Sequence, residues 1–303
     1  IGITAFQNTK TLFFNDFERK CFLLKSAPET DITWINDIIS AIRYSSEIYH
    51  NTSKVKRDKV VIAIHGIRTY GEWQSKLENT IITHETKVNF MPYKYGVFSI
   101  ISFFIPFVRY IHVYFFYKNL INNKEFIIDK DIYIFSHSFG TYIVSCLLKD
   151  FKKIEYLNLK CLVLAGSVLK SNFDWSSALE KYHFQLINDC GLKDNVLLLS
   201  QFLVPGVGMA GRTGFIGLNN GVMINRFFNG GHDLYFKSEN FMKENWLPCI
   251  YDNKISFADN RQSKFYTPAL SLILDLFGFI KYSIFLILLF YLIASIIDSF
   301  IKI

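Results

Sequence analysis

Residues 131–149 read DIYIFSHSFGTYIVSCLLK. Residues 131–135 form a short apolar run of β-branched and aromatic side chains, which predicts a buried strand. Residues 141–148 have the spacing of a helix that buries most of its surface. The letters SHSFG stand between them. The sequence therefore predicts a strand, a sharp turn centred on Ser138, and a helix.

This turn has the pattern of a nucleophile elbow, in which a strained backbone lifts a serine hydroxyl clear of a sheet. The residues two before and two after the serine must be small, because strand and helix nearly touch there. Ser136 and Gly140 meet that demand, although the usual pattern has glycine where Ser136 stands. Short motifs also match by chance, and Ser138 would then be an ordinary polar residue in a turn.

Composition narrows the class of protein. The chain has 303 residues, half of them apolar, which is enough for one large α/β domain or two small ones. Its five cysteines are scattered and never form a C-x-x-C pair, which predicts reduced, buried thiols and no zinc site. The net charge of +7 is spread over many lysines, which favours a protein beside an anionic membrane over a nucleic-acid-binding one.

Strands alternate with helices along the chain, which predicts an α/β fold with a doubly wound, mostly parallel sheet. The β-branched run at residues 59–64 is typical of a strand buried on both faces. The glycine-rich residues 206–217 lack the lysine and spacing of a phosphate loop, so we interpret them as a tight surface loop. Further strands are predicted at residues 87–93, 156–165, 184–188 and 222–228, and helices at residues 71–84 and 241–250.

The sequence HGIRT follows the strand at residues 59–64. A glycine at a strand end lets the backbone approach a substrate carbonyl, so the amide of Ile67, just after Gly66, is predicted to form half of an oxyanion hole. We assign the other half to the amide of Phe139, at the start of the helix after the elbow.

Four residues near these amides are predicted to contact the substrate: His65, Gly66, Arg68 and His137. For His65, support of the loop is a stronger expectation than acid–base catalysis. Arg68 either binds an anionic group of the substrate or braces the loop, and the sequence leaves both open.

Ser138, an acid near Asp194, and His232 follow one another along the chain, each just after a predicted strand. The carboxyl ends of parallel strands meet at one crevice. A serine hydroxyl needs an imidazole to take its proton, and the imidazole needs a carboxylate to hold its tautomer. We therefore predict Ser138 as nucleophile, His232 as base and Asp194 as acid. Asp189 and Asp174 are the rival acids, and a solvent-facing loop histidine is the other interpretation of His232.

The chain resembles the α/β-hydrolases, and among them bacterial serine hydrolases with an HGIRT stretch, an SHSFGT elbow and a late GGH. These elements stand at residues 65–69, 136–141 and 230–232. Residues 188–194, NDCGLKD, are similar to the acid loop of that family. The resemblance covers roughly residues 58–250 and implies an ester, thioester or amide hydrolase with no metal and no cofactor. The superfamily includes non-catalytic members, so a silent binding or scaffold protein at the membrane is the alternative function.

The sequence predicts four regions, and the C-terminal region is apolar along almost its whole length. Residues 276–297 would reach about 33 Å as a helix, against a bilayer core of about 30 Å. A buried helix or an oligomer interface is the alternative. The regions are an N-terminal extension (1–57) with an amphipathic helix at 33–49, the hydrolase domain (58–253), a basic linker (254–267) and a transmembrane or membrane-inserted helix or hairpin (268–303).

Residues 97–117 are strongly apolar and aromatic but interrupted by Pro106, Arg109 and His112. They predict either a helix packed on the sheet or a lid that dips into lipid. Together with the C-terminal segment they favour a membrane-associated, lipase- or esterase-like serine hydrolase that cleaves an acyl ester, with a lipid as the preferred substrate. Positive residues before the C-terminal segment predict that the hydrolase domain faces the cytoplasm. The segment is also compatible with a homo-oligomer.

Overall fold

The structure is a computed structural model, and several sequence predictions fall outside the residues it describes. These are the helix predicted at residues 33–49, Ile67, Arg68 and most of the predicted membrane segment at 268–303. No helix within the described part of the chain has the length and apolar character needed to cross a bilayer. The described residues are 2–5, 11–15, 21–25, 58–66, 72–84, 88–94, 103–216, 222–251, 255–261, 282, 283, 287, 290 and 291.

Two sheets occur among the described residues. The N-terminal strands β1 (Gly2–Ala5), β2 (Thr11–Asn15) and β3 (Cys21–Lys25) form an antiparallel sheet in that order. The second sheet is parallel throughout, in the order β5-β4-β6-β7-β8-β9, which confirms the predicted α/β class. Its strands are β4 (Lys59–Ile64), β5 (Val88–Tyr93), β6 (Asp131–His137), β7 (Asn158–Ala165), β8 (Gln185–Gly191) and β9 (Met223–Phe228).

The helices connect these strands. The helix predicted at residues 241–250 is observed as two helices, because Pro248 lacks the amide hydrogen that a continuous helix would use there. The described helices are α1 (Glu72–His84), α2 (Pro106–Asn122), α3 (Lys124–Ile127), α4 (Phe139–Asp150), α5 (Ser176–Tyr182), α6 (Asn195–Leu203), α7 (Ala210–Thr213), α8 (Leu234–Lys237), α9 (Glu239–Asn245) and α10 (Leu247–Tyr251).

Helices cover both faces of the parallel sheet. Alternate residues of β4 belong to two different hydrophobic clusters, since successive side chains of a strand point to opposite faces. Val60, Ile62 and Ile64 pack in one cluster with side chains of α2, α4 and α5. Val61 and Ala63 pack in the other with α1 and with the C-terminal helices α9 and α10. The sheet is therefore doubly wound, and β4 has no face toward water.

Helix α2 begins within the apolar segment predicted at residues 97–117 and extends beyond its end. Pro106 stands at the start of this helix, where its missing amide hydrogen costs nothing. Arg109, on the buried side, donates hydrogen bonds to the carbonyl oxygens of Phe103 and Pro205. The opposite side carries exposed aromatic residues, so one helix both packs on the sheet and presents an apolar face.

Within the glycine-rich stretch, residues 206–216 are mostly buried, so the prediction of a surface loop is wrong for these residues. A Cβ on Gly211 would lie 2.0 Å from the amide nitrogen of Ser167, and one on Gly208 would lie 2.5 Å from the Cα of Lys170. The glycines let this segment press against the loop that follows β7. Close backbone approach explains the composition better than turn formation does.

Part of the predicted linker pairs with the edge of the sheet. The amide of Phe227 in β9 donates to Ala258 O at 2.8 Å, and the amide of Asn260 donates to Phe227 O at 3.0 Å. The guanidinium of Arg261 lies 3.8 Å from the centre of the Phe227 ring. Residues 258–260 are thereby held at the sheet edge formed by β9.

Candidate active site

Ser138 occupies a strained turn between β6 and α4. Its φ of 53° and ψ of −121° lie in a backbone region that residues other than glycine rarely adopt. The amide of Ser138 donates to the carbonyl oxygen of Ala165, at the end of β7, at 3.0 Å. A Cβ on Gly140 would lie 2.6 Å from the carbonyl oxygen of Ile64, which is the close contact that the elbow pattern anticipates. The backbone therefore has the form of a nucleophile elbow.

Gly66 lies directly against the predicted nucleophile. A Cβ at this position would lie 2.6 Å from the Cβ of Ser138 and 3.2 Å from the carbonyl oxygen of His137. The end of β4 therefore adjoins the elbow, as the oxyanion prediction requires. Phe139 follows Ser138 as the first residue of α4. Ile67 and Arg68 lie outside the described residues, so the oxyanion role of the first and the anion-binding role of the second stay predictions.

His232 and Asp194 form a hydrogen-bonded pair at the same end of the sheet. Nδ1 of His232 lies 2.7 Å from Oδ2 of Asp194, whose side chain is fully buried. The other oxygen, Oδ1, accepts the amide of Leu197 at 3.0 Å and so caps α6. Because both oxygens have donors, the carboxylate is held in one orientation. A carboxylate on Nδ1 fixes the tautomer that leaves Nε2 as the proton acceptor.

The end of β7 connects this pair to the elbow. Ala165 accepts the amide of Ser138, and the next residue, Gly166, lies against the imidazole of His232. A Cβ on Gly166 would lie 3.2 Å from both Cε1 and Nδ1 of that ring. Gly166 also has a φ of 58°, which favours glycine. Two consecutive residues thus contact the predicted nucleophile and the predicted base.

The rival acids have other partners. Asp189 is fully buried and forms a two-pronged ion pair with Arg226, with Nε to Oδ1 at 2.6 Å and Nη2 to Oδ2 at 2.9 Å. The indole Nε1 of Trp246 also donates to its Oδ2. Asp174 is a local turn residue that accepts the amide and hydroxyl of Ser176. Neither carboxylate contacts His232 in the part of the chain that is described.

Two residues predicted to bind substrate are buried. His65 is 8% exposed, and its Nδ1 donates to the carbonyl oxygen of Gly66 at 2.6 Å. His137 is 2% exposed, and its Nε2 donates to the carbonyl oxygen of His232 at 3.0 Å. Each ring is turned into the protein and bonded to a backbone carbonyl, and the substrate contact predicted for His65 and His137 stays a prediction. Loop support, the other expectation for His65, matches its environment.

Tyr235 is a site-supporting residue that sequence reasoning missed. Its buried hydroxyl donates to the carbonyl oxygen of Asp189 at 2.8 Å and accepts the amide of Gly166 at 3.0 Å. It therefore ties the end of β7 to the end of β8. Burial raises the pKa of Tyr235 well above its usual value, so the hydroxyl keeps its proton. A tyrosine in a short helix carries no local signal of such a role.

Comparison with known proteins gives only distant similarities. The sequence matches no protein-family model and no curated protein. The lin2722 gene product of Listeria innocua superposes with a TM-score of 0.44 at 10% identity, over 66% of this chain and 97% of that one. An esterase from Pyrococcus furiosus gives 0.36 at 12%, over 62% and 82%. An extracellular α/β-hydrolase from a Paenibacillus species gives 0.34 at 12%, over 61% and 95%.

The chain's own geometry identifies its architecture. Helices cover both faces of a parallel sheet, and a serine with positive φ joins β6 to α4. An acid on the loop after β8 meets a histidine on the loop after β9. Within the described residues, no group of three or more His, Cys, Asp or Glu side chains is arranged to hold a metal ion. The chain has the fold of an α/β-hydrolase.

Proposed function

We propose that the chain is a serine hydrolase that cleaves an acyl ester through Ser138, His232 and Asp194. The observation that carries the proposal is the 2.7 Å contact between His232 Nδ1 and Asp194 Oδ2, at the same end of the sheet as a serine in a strained turn. The strain supports the proposal because a folded chain retains an unfavourable backbone at such a position mainly where function uses it. The order of nucleophile, acid and base along the chain agrees with it as well.

The proposed reaction has two halves. His232 Nε2 takes the proton of Ser138 Oγ while that oxygen attacks the acyl carbonyl carbon. The bond from this carbon to the alcohol oxygen then breaks, and His232 returns the proton to the departing alcohol. The acyl group stays on Ser138 as an ester. Water, deprotonated by His232, attacks that ester in the second half and releases the acid and free Ser138.

The amides of Phe139 and Ile67 are the proposed oxyanion hole. Phe139 stands at the start of α4, where the helix dipole favours an anion. The contact of Gly66 with Ser138 supports the second donor, because Ile67 follows Gly66 directly. Two donors aimed at the developing negative charge would stabilise the transition state more than the substrate.

The proposed substrate is a lipid ester at a membrane, and the exposed side of α2 supports this part. Four of its side chains, Phe107, Tyr110, Tyr114 and Phe115, are 41–72% exposed, and we call them the aromatic face. Lys118 lies on the same side of α2, and its Nζ is 5.6 Å from the centre of the Tyr114 ring. Aromatic and basic side chains on one helix fit the interface of an anionic bilayer. The predicted anchor at residues 268–303 would hold the domain there, facing the cytoplasm.

A fluorophosphonate probe tests the catalytic part of the proposal. The wild-type chain should be labelled, and Ser138→Ala should not be, because the probe bonds to an activated serine. Circular dichroism of the variant controls for folding. A wild-type chain that folds but is never labelled would reject the enzyme and favour the silent binding or scaffold protein.

Liposome assays test the membrane part independently. A chain that ends before Pro268 should be released from anionic vesicles and lose activity on vesicle lipid, yet keep its activity on short soluble esters. Anchoring changes how often enzyme and lipid meet, not the chemistry at Ser138. Full-length enzyme that cleaves short esters well and never cleaves bilayer lipid would reject the lipid substrate alone.

A further inference from the structure

His137 is the residue directly before the proposed nucleophile, and its side chain contacts the proposed base. The ring is 2% exposed, and Nε2 lies 3.0 Å from the carbonyl oxygen of His232. A carbonyl oxygen can only accept, so Nε2 carries a hydrogen. One side chain therefore joins the nucleophile's own strand to the backbone of the loop that carries the base.

The His137 ring also packs against the imidazole of His232. The centres of the His137 and His232 rings are 4.6 Å apart, and Phe236 packs edge-on to His137 at 4.7 Å. Trp73 of α1 closes the cluster, at 6.5 Å from His137 and 5.2 Å from Phe236. His137 is thus held by packing while it holds His232 by a hydrogen bond.

The surroundings keep this ring neutral. Burial lowers the pKa of His137 well below its usual value, and the neighbouring His232 lowers it further. Its Nδ1 is buried and has no hydrogen-bond partner among the described residues. A second proton there would be an unpaired, buried donor. The neutral ring with hydrogen on Nε2 is the form that matches both atoms.

We infer that His137 is a positioning residue, whose Nε2–H bond to the His232 carbonyl sets the distance and direction of the imidazole relative to Ser138. This inference rests on the proposed function, since it needs Ser138 and His232 to act together. It assigns a task to the second residue of the SHSFG turn that differs from substrate binding. His137 can play this role because Ser138 is the next residue in the chain. A bond from His137 to the loop that carries His232 therefore links that loop to the nucleophile through one peptide bond.

Three replacements separate positioning from simple packing. His137→Gln can place an amide donor near the location of Nε2, and His137→Asn can place one only near Nδ1. His137→Phe keeps a ring of similar size without any donor. Positioning predicts that Phe and Asn lower kcat by about tenfold to a hundredfold with little change in KM, because a small misplacement of the base weakens the chemical step. Gln should recover most of that loss.

The readouts are kcat and KM on a short soluble ester, the rate of fluorophosphonate labelling, and the urea midpoint of each variant. Equal kcat for Phe and wild type, or a Gln variant no better than Asn, would overturn the inference even if Phe lowers stability. If Phe does not fold, the comparison of Gln with Asn decides alone. A wild-type chain without Ser138-dependent labelling would instead reject the proposed function, so the two failures are distinguishable.

Discussion

A Cβ atom on Gly66 would lie 2.6 Å from the Cβ of Ser138, so the end of β4 and the elbow fit together only with glycine. The contact joins two motifs that lie far apart in the sequence. It also places the HG pair of the predicted oxyanion strand beside the nucleophile without any side chain between them. The first prediction follows from this contact.

Gly66→Ala should lower the free energy of unfolding by about 1–3 kcal/mol and reduce activity strongly, because the added methyl displaces Ser138. Equilibrium urea denaturation and ester hydrolysis measure the two effects. Gly231→Ala is the matched control for stability, since a Cβ there meets its nearest neighbour at 3.7 Å and should change stability by less than about 0.5 kcal/mol. Equal stability of the two variants would contradict the contact.

Ser138→Gly should be inactive yet more stable than Ser138→Ala by about 1 kcal/mol. The backbone at this position has a φ of 53°, which strains alanine as it strains serine and suits glycine. Thermal or urea unfolding of the two inactive variants measures the difference. Because both variants lack the hydroxyl, the difference in their stability reports the backbone at this position alone. A glycine variant less stable than the alanine one would argue against a strained elbow.

Asp194→Asn should lower kcat by about ten-thousandfold with little loss of stability. An asparagine at this position can still cap α6 through its side-chain oxygen, but its NH2 group then faces Nδ1 of His232. An NH2 group donates and cannot accept a hydrogen from Nδ1, so it favours the wrong tautomer of His232. Ester hydrolysis and urea denaturation measure the two effects.

Asp189→Asn is the matched comparison: it should lower the stability of the fold strongly and leave the activity of the folded protein largely intact. It leaves Arg226 buried without its carboxylate, so we expect a loss of about 3–5 kcal/mol in the free energy of unfolding. Activity should persist at temperatures where this variant stays folded. A folded Asp189→Asn variant without activity would move the acid assignment from Asp194 to Asp189.

His137 should make the stability of the chain depend on pH. The folded state depresses the pKa of this ring, mainly by burial, whereas the unfolded chain titrates near 6.5. The stabilisation is therefore present above about pH 6.5 and falls by up to about 1.4 kcal/mol per unit below it, since only the unfolded chain takes up the proton.

Urea denaturation of wild type and His137→Gln at pH 7.5 and pH 5.5 checks this titration. The difference between the two chains should shrink at the lower pH, because glutamine has no proton to gain. The lowered pKa of His112 acts equally in both chains and cancels from the difference. A pH-independent difference would show that His137 is charged or accessible in the folded state.

The double variant Phe107→Ser, Phe115→Ser should bind anionic vesicles at least about tenfold more weakly than wild type, because two exposed aromatic rings no longer enter the interface. Vesicle sedimentation measures the binding. Ile82→Ser is the control, since Ile82 is 50% exposed on α1, which packs on the other face of the sheet. Equal losses for both variants would indicate a non-specific effect of lower hydrophobicity.

The sequence by itself determined the layered α/β fold and the order of its chemical groups. Buried strands and helices leave local periodic patterns, which is why residues 59–64 and the region around Ser138 were interpretable from their letters. The turn at Ser138 follows from small neighbours and a strand–helix junction, and both are local. The loop positions of Asp194 and His232 followed from the strand predictions in the same way.

Only the tertiary structure decided which side chains meet. Asp189 lies near the end of β8 and Asp194 follows that strand. Their environments differ because Arg226 and Trp246, which are distant in sequence, pair with Asp189. The inward turn of His137 and the burial of the glycines near Gly211 are likewise set by neighbours that are remote in sequence. Pairing of this kind depends on strand order and packing distance, and neither leaves a periodic trace along the chain.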